Sequence, residues 1–295
     1  MDSNFQPVSL AARDAYYQFW QAAPRRALDY SLVNLWGWQN YFGLEWRFDD
    51  NLCWIRQTSP ELIYWAPLGD WTKADWQAIF RTVSQELRFT RVPAELAEIW
   101  SKALPDRILT EEDRGQWEYL YLQEDLANLA GPKFHKKKNH YNSYVKTYGE
   151  PDYQPITDAI IEQVLGVQDD WCQWHECEDS PSLQAENEAI NRCLSHWDSF
   201  RNMCGGALIV DGKMIAFSVG EKLDDETLGA HFEKGLGGYK GVYQAINLQF
   251  ARHAGNGFKW IDRAQDMGEE GLRQAKMTYH PAEFLRKFKI RLLPG

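Results

Sequence analysis

HFEKGLGGYKGVYQAINLQFARHAGNG, residues 231–257, places four glycines within seven positions, Gly235 to Gly241, and begins a regular helical pattern directly after them. Each glycine raises the entropy lost on folding, so a bare turn accounts for one or two better than for four. A helix start that receives a phosphate uses this composition. It needs exposed N–H groups, room for close approach and the positive end of the helix dipole. The stretch predicts a strand, an anion-cradling turn and a helix from Tyr239 to His253, with Gly255 and Gly257 able to supply a left-handed cap. The bland alternative is a flexible connection that binds nothing.

Upstream, PITDAIIEQVLGVQDDWCQW (155–174) has apolar residues at helical spacing, and PSLQAENEAINRCLSHW (181–197) reads as a second helix opened by Ser180 and Pro181. In GGALIVDGKMIAFSVGEKL (205–223), Asp211-Gly212 separates two apolar runs, a strong hairpin signal. TLGAHFEK (227–234) pairs naturally with the second of these runs. Downstream, FKWIDRA (258–264) reads as a buried strand, GEEGLRQAKM (268–277) as a short helix and KFKIRLL (287–293) as a closing strand. This order, with a glycine-rich turn joining the third strand to the long helix, resembles the GNAT acyltransferase fold. In that family the turn cradles a pyrophosphate. Here Lys234 stands in for the basic lead residue, while Gly235, Gly237, Gly238, Tyr239 and Gly241 supply the binding backbone.

The first half repeats the theme more faintly. GLEWRFDDNLCWIRQTSPELIYWAPLG (43–69) gives three short strands split at Asp49-Asp50 and Ser59-Pro60. DWTKADWQAIFRTVSQEL (70–87) reads as a helix capped by Asp70 or Thr72. RFTRV is a strand, PAELAEIWSKAL a helix opened by proline, and WEYLYL (117–122) a further strand. The loop before the Thr72 helix, APLGDW, lacks a phosphate-binding pattern. The expectation is an α+β protein of two tandem GNAT-like (acyl-CoA N-acyltransferase-like) domains, each a mixed, mainly antiparallel sheet flanked by helices. The boundaries read as 1–131 for a domain with a degenerate loop, 132–150 for a basic connecting helix, and 151–295 for the domain with the glycine turn.

At 295 residues the chain can bury two cores of ordinary size. Its net charge of −10 repels nucleic acid and anionic lipid, so either partner requires a local basic patch. Trp, Tyr and Phe occur 14 times each, a large aromatic area whose ordinary fate is core packing. Residues 1–10 show neither a basic start nor an apolar run, and no apolar stretch reaches the roughly 18–20 residues that span a bilayer. Five irregularly spaced cysteines suit a reducing compartment, and the expected location is cytoplasmic. Cys172, His175 and Cys177 cluster without a second ligand pair, so a helix end rather than a metal site is expected there, and no metal.

The basic patch exists. LAGPKFHKKKNHYNSYVKTYG (129–149) holds Lys133, His135, Lys136, Lys137, Lys138, His140 and Lys146, with no acid between 133 and 146. A helix opened by Pro132 gathers these charges on adjacent turns, either as a phosphate-binding ridge or as a solvated face with Tyr141 and Tyr144 packed inward. Together with WEYLY, DWCQWHECEDSPSLQAENEAI, DGKMIAFSVGEKL, HFEKGLGGYKGVYQAIN and IDRAQDMGEEGLRQAKMTYHP, this stretch resembles soluble bacterial proteins similar to the C-terminal catalytic domain of phosphatidylglycerol lysyltransferases. The resemblance implies tandem GNAT-like domains related to the Fem-type aminoacyltransferases, which move an amino acid from aminoacyl-tRNA to an acceptor. It implies tRNA as a partner and an anionic lipid or a peptide as acceptor. Where relatives often place arginine, Lys138 stands here, a weaker phosphate clamp.

Acyl transfer needs a nucleophile, a base and donors aimed at the oxyanion. Glu233 ends the strand that feeds the turn, and His231 two residues earlier shares its strand face by simple alternation. The expected catalytic set is Glu233 or Asp266 as base, Lys276 as charge stabiliser and Tyr279 as proton donor. Glu233 paired with Lys234 or Lys240, and Asp262–Arg263 as a surface pair, are the structural alternatives. No tightly bound cofactor is expected. The donor is aminoacyl-tRNA, held by Lys133, His135, Lys136, Lys137 and Lys138, or acyl-CoA, held by the turn. An acyl-CoA-dependent N-acetyltransferase and a non-catalytic small-molecule-binding protein are the competing functions, with a purely RNA-binding protein a third.

Overall fold

In a computed structural model, which describes residues 4–295, the chain divides into two units. Unit 1 comprises Met1–Glu118, Gln265–Glu269 and Leu285–Gly295, and unit 2 comprises Tyr119–Ala264 and Glu270–Phe284. The first half contributes strands β1 (Gln6–Pro7), β2 (Glu45–Phe48), β3 (Leu52–Gln57), β4 (Ile63–Trp65), β5 (Leu68–Gly69), β6 (Leu87–Pro93) and β7 (Ile108–Glu112). Its helices are α1 (Arg13–Ala22), α2 (Leu32–Gly37), α3 (Gln39–Phe42), α4 (Trp76–Phe80) and α5 (Ala94–Ala103). The helix expected over 70–87 is confined to α4. Asp75 caps it by accepting from Ala78 N at 3.0 Å, whereas Asp70 is used in a turn that holds Thr72 N and Oγ1. The aromatic residues pack as expected: Trp54, Trp76, Phe80, Phe89 and Trp100 interlock with ring centroids from 4.8 to 6.4 Å apart.

The remaining chain forms β8 (Glu118–Leu122), β9 (Asp152–Pro155), β10 (Met203–Val210), β11 (Lys213–Lys222), β12 (Thr227–Gly235), β13 (Trp260–Asp262), β14 (Glu283–Leu285) and β15 (Lys287–Leu292). Its helices are α6 (Gln123–Asn128), α7 (His135–Tyr148), α8 (Ile161–Trp174), α9 (Pro181–Leu194), α10 (Val242–His253) and α11 (Glu270–Met277). The hairpin between β10 and β11 is the predicted two-residue turn, with Asp211 and Gly212 both at positive φ. Ser180 caps α9 through Leu183 N. The class expected from the sequence is the one present: α+β, two mixed sheets flanked by helices.

The sheets do not follow the two halves of the chain. One has the order β1-β2-β3-β4-β6-β15-β7, with β5 on β3, and the other the order β14-β8-β13-β12-β11-β10-β9. Each half thus sends one strand into the other sheet: β8 pairs antiparallel with β13, and β15 is inserted between β6 and β7. The parallel pairings described are β4 with β6 and β12 with β13, one in each sheet. The expected boundaries at 131 and 150 therefore differ from the observed division. Tyr119–Gly131 and the whole basic helix lie in unit 2, and KFKIRLL closes the sheet of unit 1.

Unit 1 gathers its late segments around buried charge. Asp29, Arg91, Glu118 and Lys287 are all at most 5% exposed. Lys287 Nζ donates to both Asp29 and Glu118, Arg91 Nη1 meets Asp29 Oδ1 at 2.6 Å, and Gln265 donates to Asp29 at 3.0 Å. Glu118 also accepts from the N–H groups of Leu28 and Asp29. Two cations balance two anions, the condition under which burying charge is tolerable.

Candidate functional site

β12 pairs with β13 only over Thr227–Gly229 and then runs on to Gly235. Beyond Gly229 it has no strand neighbour on that side among the described residues, so its last residues border a gap in the sheet. A bulge shapes the same segment. Val219 pairs with Phe232 and Gly220 with Ala230, leaving His231 as the extra residue. Across the bulge the alternation of faces breaks. His231 turns to Glu221 at 3.2 Å, and Glu233 turns to the opposite face, correcting the expectation that the two share one.

On that face Glu233 Oε1 meets Arg263 Nη2 at 3.1 Å, so its partner is neither Lys234 nor Lys240. Asn247, a buried amide in the apolar α10, completes the contact. With its oxygen toward the guanidinium it accepts from Nη1 at 2.8 Å and Nη2 at 3.1 Å. The opposite orientation donates to Glu233 at 3.3 Å but leaves amide hydrogens facing guanidinium hydrogens, so the first is the satisfied one. Arg263 is no surface pair with Asp262, whose carboxylate instead accepts from Ala264 N at 2.9 Å.

Tyr279 is buried beside Arg263, whose Cζ lies 5.1 Å from the ring centroid, and Arg263 and the Gln244 amide both act on its hydroxyl in favour of the phenolate. Burial raises the Tyr279 pKa, partly offset by Arg263, so the phenol stays protonated. Burial disfavours the charge on Arg263, but Glu233 and the surrounding phenols outweigh it and hold the guanidinium charged. Lys276 Nζ donates to the Arg263 carbonyl, and its own carbonyl accepts from Tyr121 at 2.9 Å. Of the four expected catalytic residues, unit 2 therefore gathers Glu233, Lys276 and Tyr279 around Arg263. Asp266 belongs to unit 1, where it is fully buried, meets Arg114 at 3.1 Å and accepts from Gly268 N at 2.9 Å.

The basic helix forms as expected, with Tyr141 and Tyr144 buried. Its charges disperse. Lys133 pairs with Asp125 at 2.8 Å, Lys138 donates to the Asn128 carbonyl at 3.3 Å, and His135 faces Asn139 at 3.1 Å. Lys136 is exposed. Lys137 turns into the site, its Nζ 4.1 Å above the Tyr279 ring, and burial followed by the charge of Arg263 lowers its pKa. Arg263, Asn247, Gln244 and the inward role of Lys137 escaped the sequence reading. Polar residues at 244, 247 and 249, set among the apolar residues of that helix, were the available signal.

The glycine turn is partly a packing device. Gly241 has φ +81°, and a Cβ there would lie 2.5 Å from the His140 carbonyl, so glycine is required for both conformation and the approach of α7. This left-handed residue delays the helix to Val242. A Cβ on Gly237 would lie 3.0 Å from the Trp174 indole. Tyr148 holds the turn from α7, donating to Gly238 O and accepting from Lys240 N, and its ring lies 5.5 Å from that of Tyr239. The N–H groups of Gly237, Gly238, Tyr239 and Gly241 find no hydrogen-bond partner among the described residues. Lys234 does not lead this turn. It is buried, 3.9 Å over Trp171 and 2.7 Å from Glu186.

α8 ends at Trp174, the helix end expected there, and Cys172 and Cys177 form a disulfide across it, although the irregular cysteine spacing suits a reducing compartment. Among the described residues no group of three or more metal-ligating side chains occurs, and no helix is long and apolar enough to cross a membrane.

Unit 2 thus presents a parallel strand pair that opens beside a glycine turn, with a carboxylate at the opening. Residues 20–291 match the family described as phosphatidylglycerol lysyltransferase, C-terminal, and the chain belongs to that family. A conserved protein of unknown function from Bacteroides thetaiotaomicron is 31% identical, with 98% of this chain and 99% of that one covered and a TM-score of 0.88. The C-terminal domain of a putative lysylphosphatidylglycerol synthetase from Agrobacterium fabrum shares the fold at 13% identity, covering 97% and 93%, with a TM-score of 0.66. L-PGS from Bacillus licheniformis does so at 11% identity, covering 95% and 91%, with a TM-score of 0.64. An uncharacterized protein of Mycoplasmoides gallisepticum is 24% identical over 178 residues, 59% of this chain; the match spans little more than half of that protein, 56% of its length.

Proposed function

We propose that this protein is an acyltransferase that moves an aminoacyl or acyl group from an activated donor to an amine or hydroxyl acceptor, with unit 2 carrying the chemistry. The observation that supports it is the place of Glu233, on the unpaired end of β12 that leads into a turn with uncommitted N–H groups, ion-paired to the Arg263 on which the Tyr279 phenol packs. In this reading Glu233 takes the proton of the acceptor as its nitrogen or oxygen attacks the donor carbonyl. Arg263 orients that carboxylate and, with Lys137, offers positive charge to the oxyanion. The donor's C–O or C–S bond breaks as the new C–N or C–O bond forms, and Tyr279 gives its proton to the departing ribose oxygen or thiolate sulfur. Asp266 has no role in this scheme, and Lys276 acts through the Arg263 backbone.

Family membership favours aminoacyl-tRNA as donor and an anionic lipid as acceptor. One observation favours acyl-CoA instead: Lys133 and Lys138 are committed to Asp125 and Asn128, while the amides of the turn are not. The test offers labelled aminoacyl-tRNA and labelled acetyl-CoA in separate arms, each with phosphatidylglycerol vesicles or a peptide amine as acceptor. Transfer in one arm, lost in Glu233→Gln, is expected. Binding of a donor with no transfer in either arm would instead identify a binding protein. A tRNA donor also predicts affinity that falls steeply with salt.

A further inference from the structure

Beside the glycine turn, Trp174 is an indole that the transfer chemistry leaves unused. The last residue of α8, it is 73% exposed, more than any other large apolar residue described as exposed. It is nevertheless held in place. Its ring lies against the backbone at Gly237, where a Cβ would come within 3.0 Å, and the Cys172–Cys177 disulfide closes the chain around it. Trp171 one turn earlier stacks on His175 with centroids 3.8 Å apart and donates to the Tyr243 hydroxyl at 2.9 Å.

Trp174 forms one wall of a cavity of about 410 Å³ lined also by Asp170, Gln173, Leu236 and Gly237. That volume falls within the range of small-molecule sites, roughly 300–1,000 Å³. A flat aromatic wall suits a planar ring. The polar groups at its rim are a carboxylate, which only accepts, and a carboxamide, which both donates and accepts. Asp170 pairs with Lys213 at 3.6 Å, but both side chains are more than half exposed, so the pair is weak and the carboxylate can change partner. A carboxylate in the cavity also argues against an anion lodging there.

We propose that this cavity binds the purine base of an adenosine nucleotide, the ring stacking on Trp174 and its exocyclic amine donating to Asp170, with Gln173 on a ring nitrogen. Amide side chains make such paired contacts to adenine elsewhere. Both candidate donors carry this group, coenzyme A in its nucleotide and tRNA in its terminal adenosine. The biological source therefore rests on the transferase reading, while the chemistry of the cavity does not.

Calorimetric titration with adenosine 3′,5′-bisphosphate, its uridine counterpart and coenzyme A tests the assignment, alongside filter binding of tRNA ending in CCA or CC. The adenosine compound should bind the wild-type protein, lose roughly tenfold in affinity in Trp174→Ala and keep affinity within about threefold in Trp174→Phe. The uridine compound should bind roughly tenfold more weakly than the adenosine one, because base stacking and the amine contact are both reduced. Dependence of the CCA end on Trp174 identifies tRNA as the source, and the same dependence for coenzyme A identifies the thioester. Absence of adenosine binding, equal affinity for the two nucleotides or indifference to Trp174→Ala overturns the proposal. Trp174-dependent binding without transfer from either donor would retire the transferase reading and leave this site standing.

Discussion

Arg263 Nη2 stands 3.1 Å from Glu233 Oε1, and the contact spans the point where β12 and β13 stop pairing. The two side chains are only 17% and 15% exposed, so removing either leaves the other largely buried without its ion-pair partner. Glu233→Gln and Arg263→Met are each expected to destabilise the fold by about 1–3 kcal/mol, with a coupling energy of at least about 0.5 kcal/mol. Urea unfolding of the two single variants and the double variant measures it. Simple additivity would mean that the pair is incidental.

Tyr279→Phe removes the proposed proton donor while keeping the ring that Arg263 and Lys137 pack on. Turnover should fall about 10²-fold with donor affinity nearly unchanged. Steady-state kinetics in whichever donor arm is active provides the check, and a variant as fast as wild type would remove Tyr279 from the mechanism.

Lys137 makes stability depend on alkaline pH. Its folded-state pKa lies below the ordinary lysine value through burial and then Arg263, so the penalty for its charge is fully present below the folded pKa. As pH rises toward the unfolded value the native state loses this proton first, and stability rises. The difference in unfolding free energy between wild type and Lys137→Met should therefore shift in favour of wild type through that window. A pH-independent difference would show that Lys137 is solvated.

Lys287→Met in unit 1 leaves Asp29 and Glu118 facing each other in the core. A loss of about 3–5 kcal/mol is expected from breaking a buried ion network. Burial alone would raise the Asp29 pKa, but Arg91 and Lys287 outweigh it and the net direction is down. Its stabilisation is present above the unfolded carboxylate value and vanishes as pH falls through the folded one. Acid unfolding of the variant, followed by circular dichroism, should begin at higher pH than in wild type.

Gly241→Ala and Gly238→Ala separate packing from conformation. Both positions have positive φ, +81° and +87°, but only at Gly241 would a Cβ strike backbone, the His140 carbonyl. Alanine at 238 should lower stability by about 1–2 kcal/mol, and alanine at 241 by distinctly more. Calorimetric melting of both variants decides, and equal losses would contradict the close approach of α7.

Locally written features were legible in the sequence. The Asp211-Gly212 hairpin, the glycine turn and the amphipathic helices carry their signals in neighbouring residues. Pairing partners do not: EYLYL and KFKIRL are plain strand patterns that carry no mark of which sheet they join. The same limit explains the site. Glu233 was reachable because it ends a strand at the turn, but the bulge at His231 depends on register with β11 and leaves no trace in composition. Arg263 looked like half of a surface pair because Asp262 precedes it, and only the three-dimensional path turns one inward and the other onto Ala264 N. The lysine run read as a single surface, whereas Asp125, Asn128 and Tyr279 divide it.

The exchange of β8 and β15 has a consequence on the ribosome. β7 has β15 as its neighbour in the sheet, and β15 is synthesised after every other strand described. The first half of the nascent chain must therefore wait with two open strand edges, β6 and β7, a condition that invites association with other chains. A cut between the halves would make that wait permanent and would leave β13 of the other sheet without its partner β8 as well.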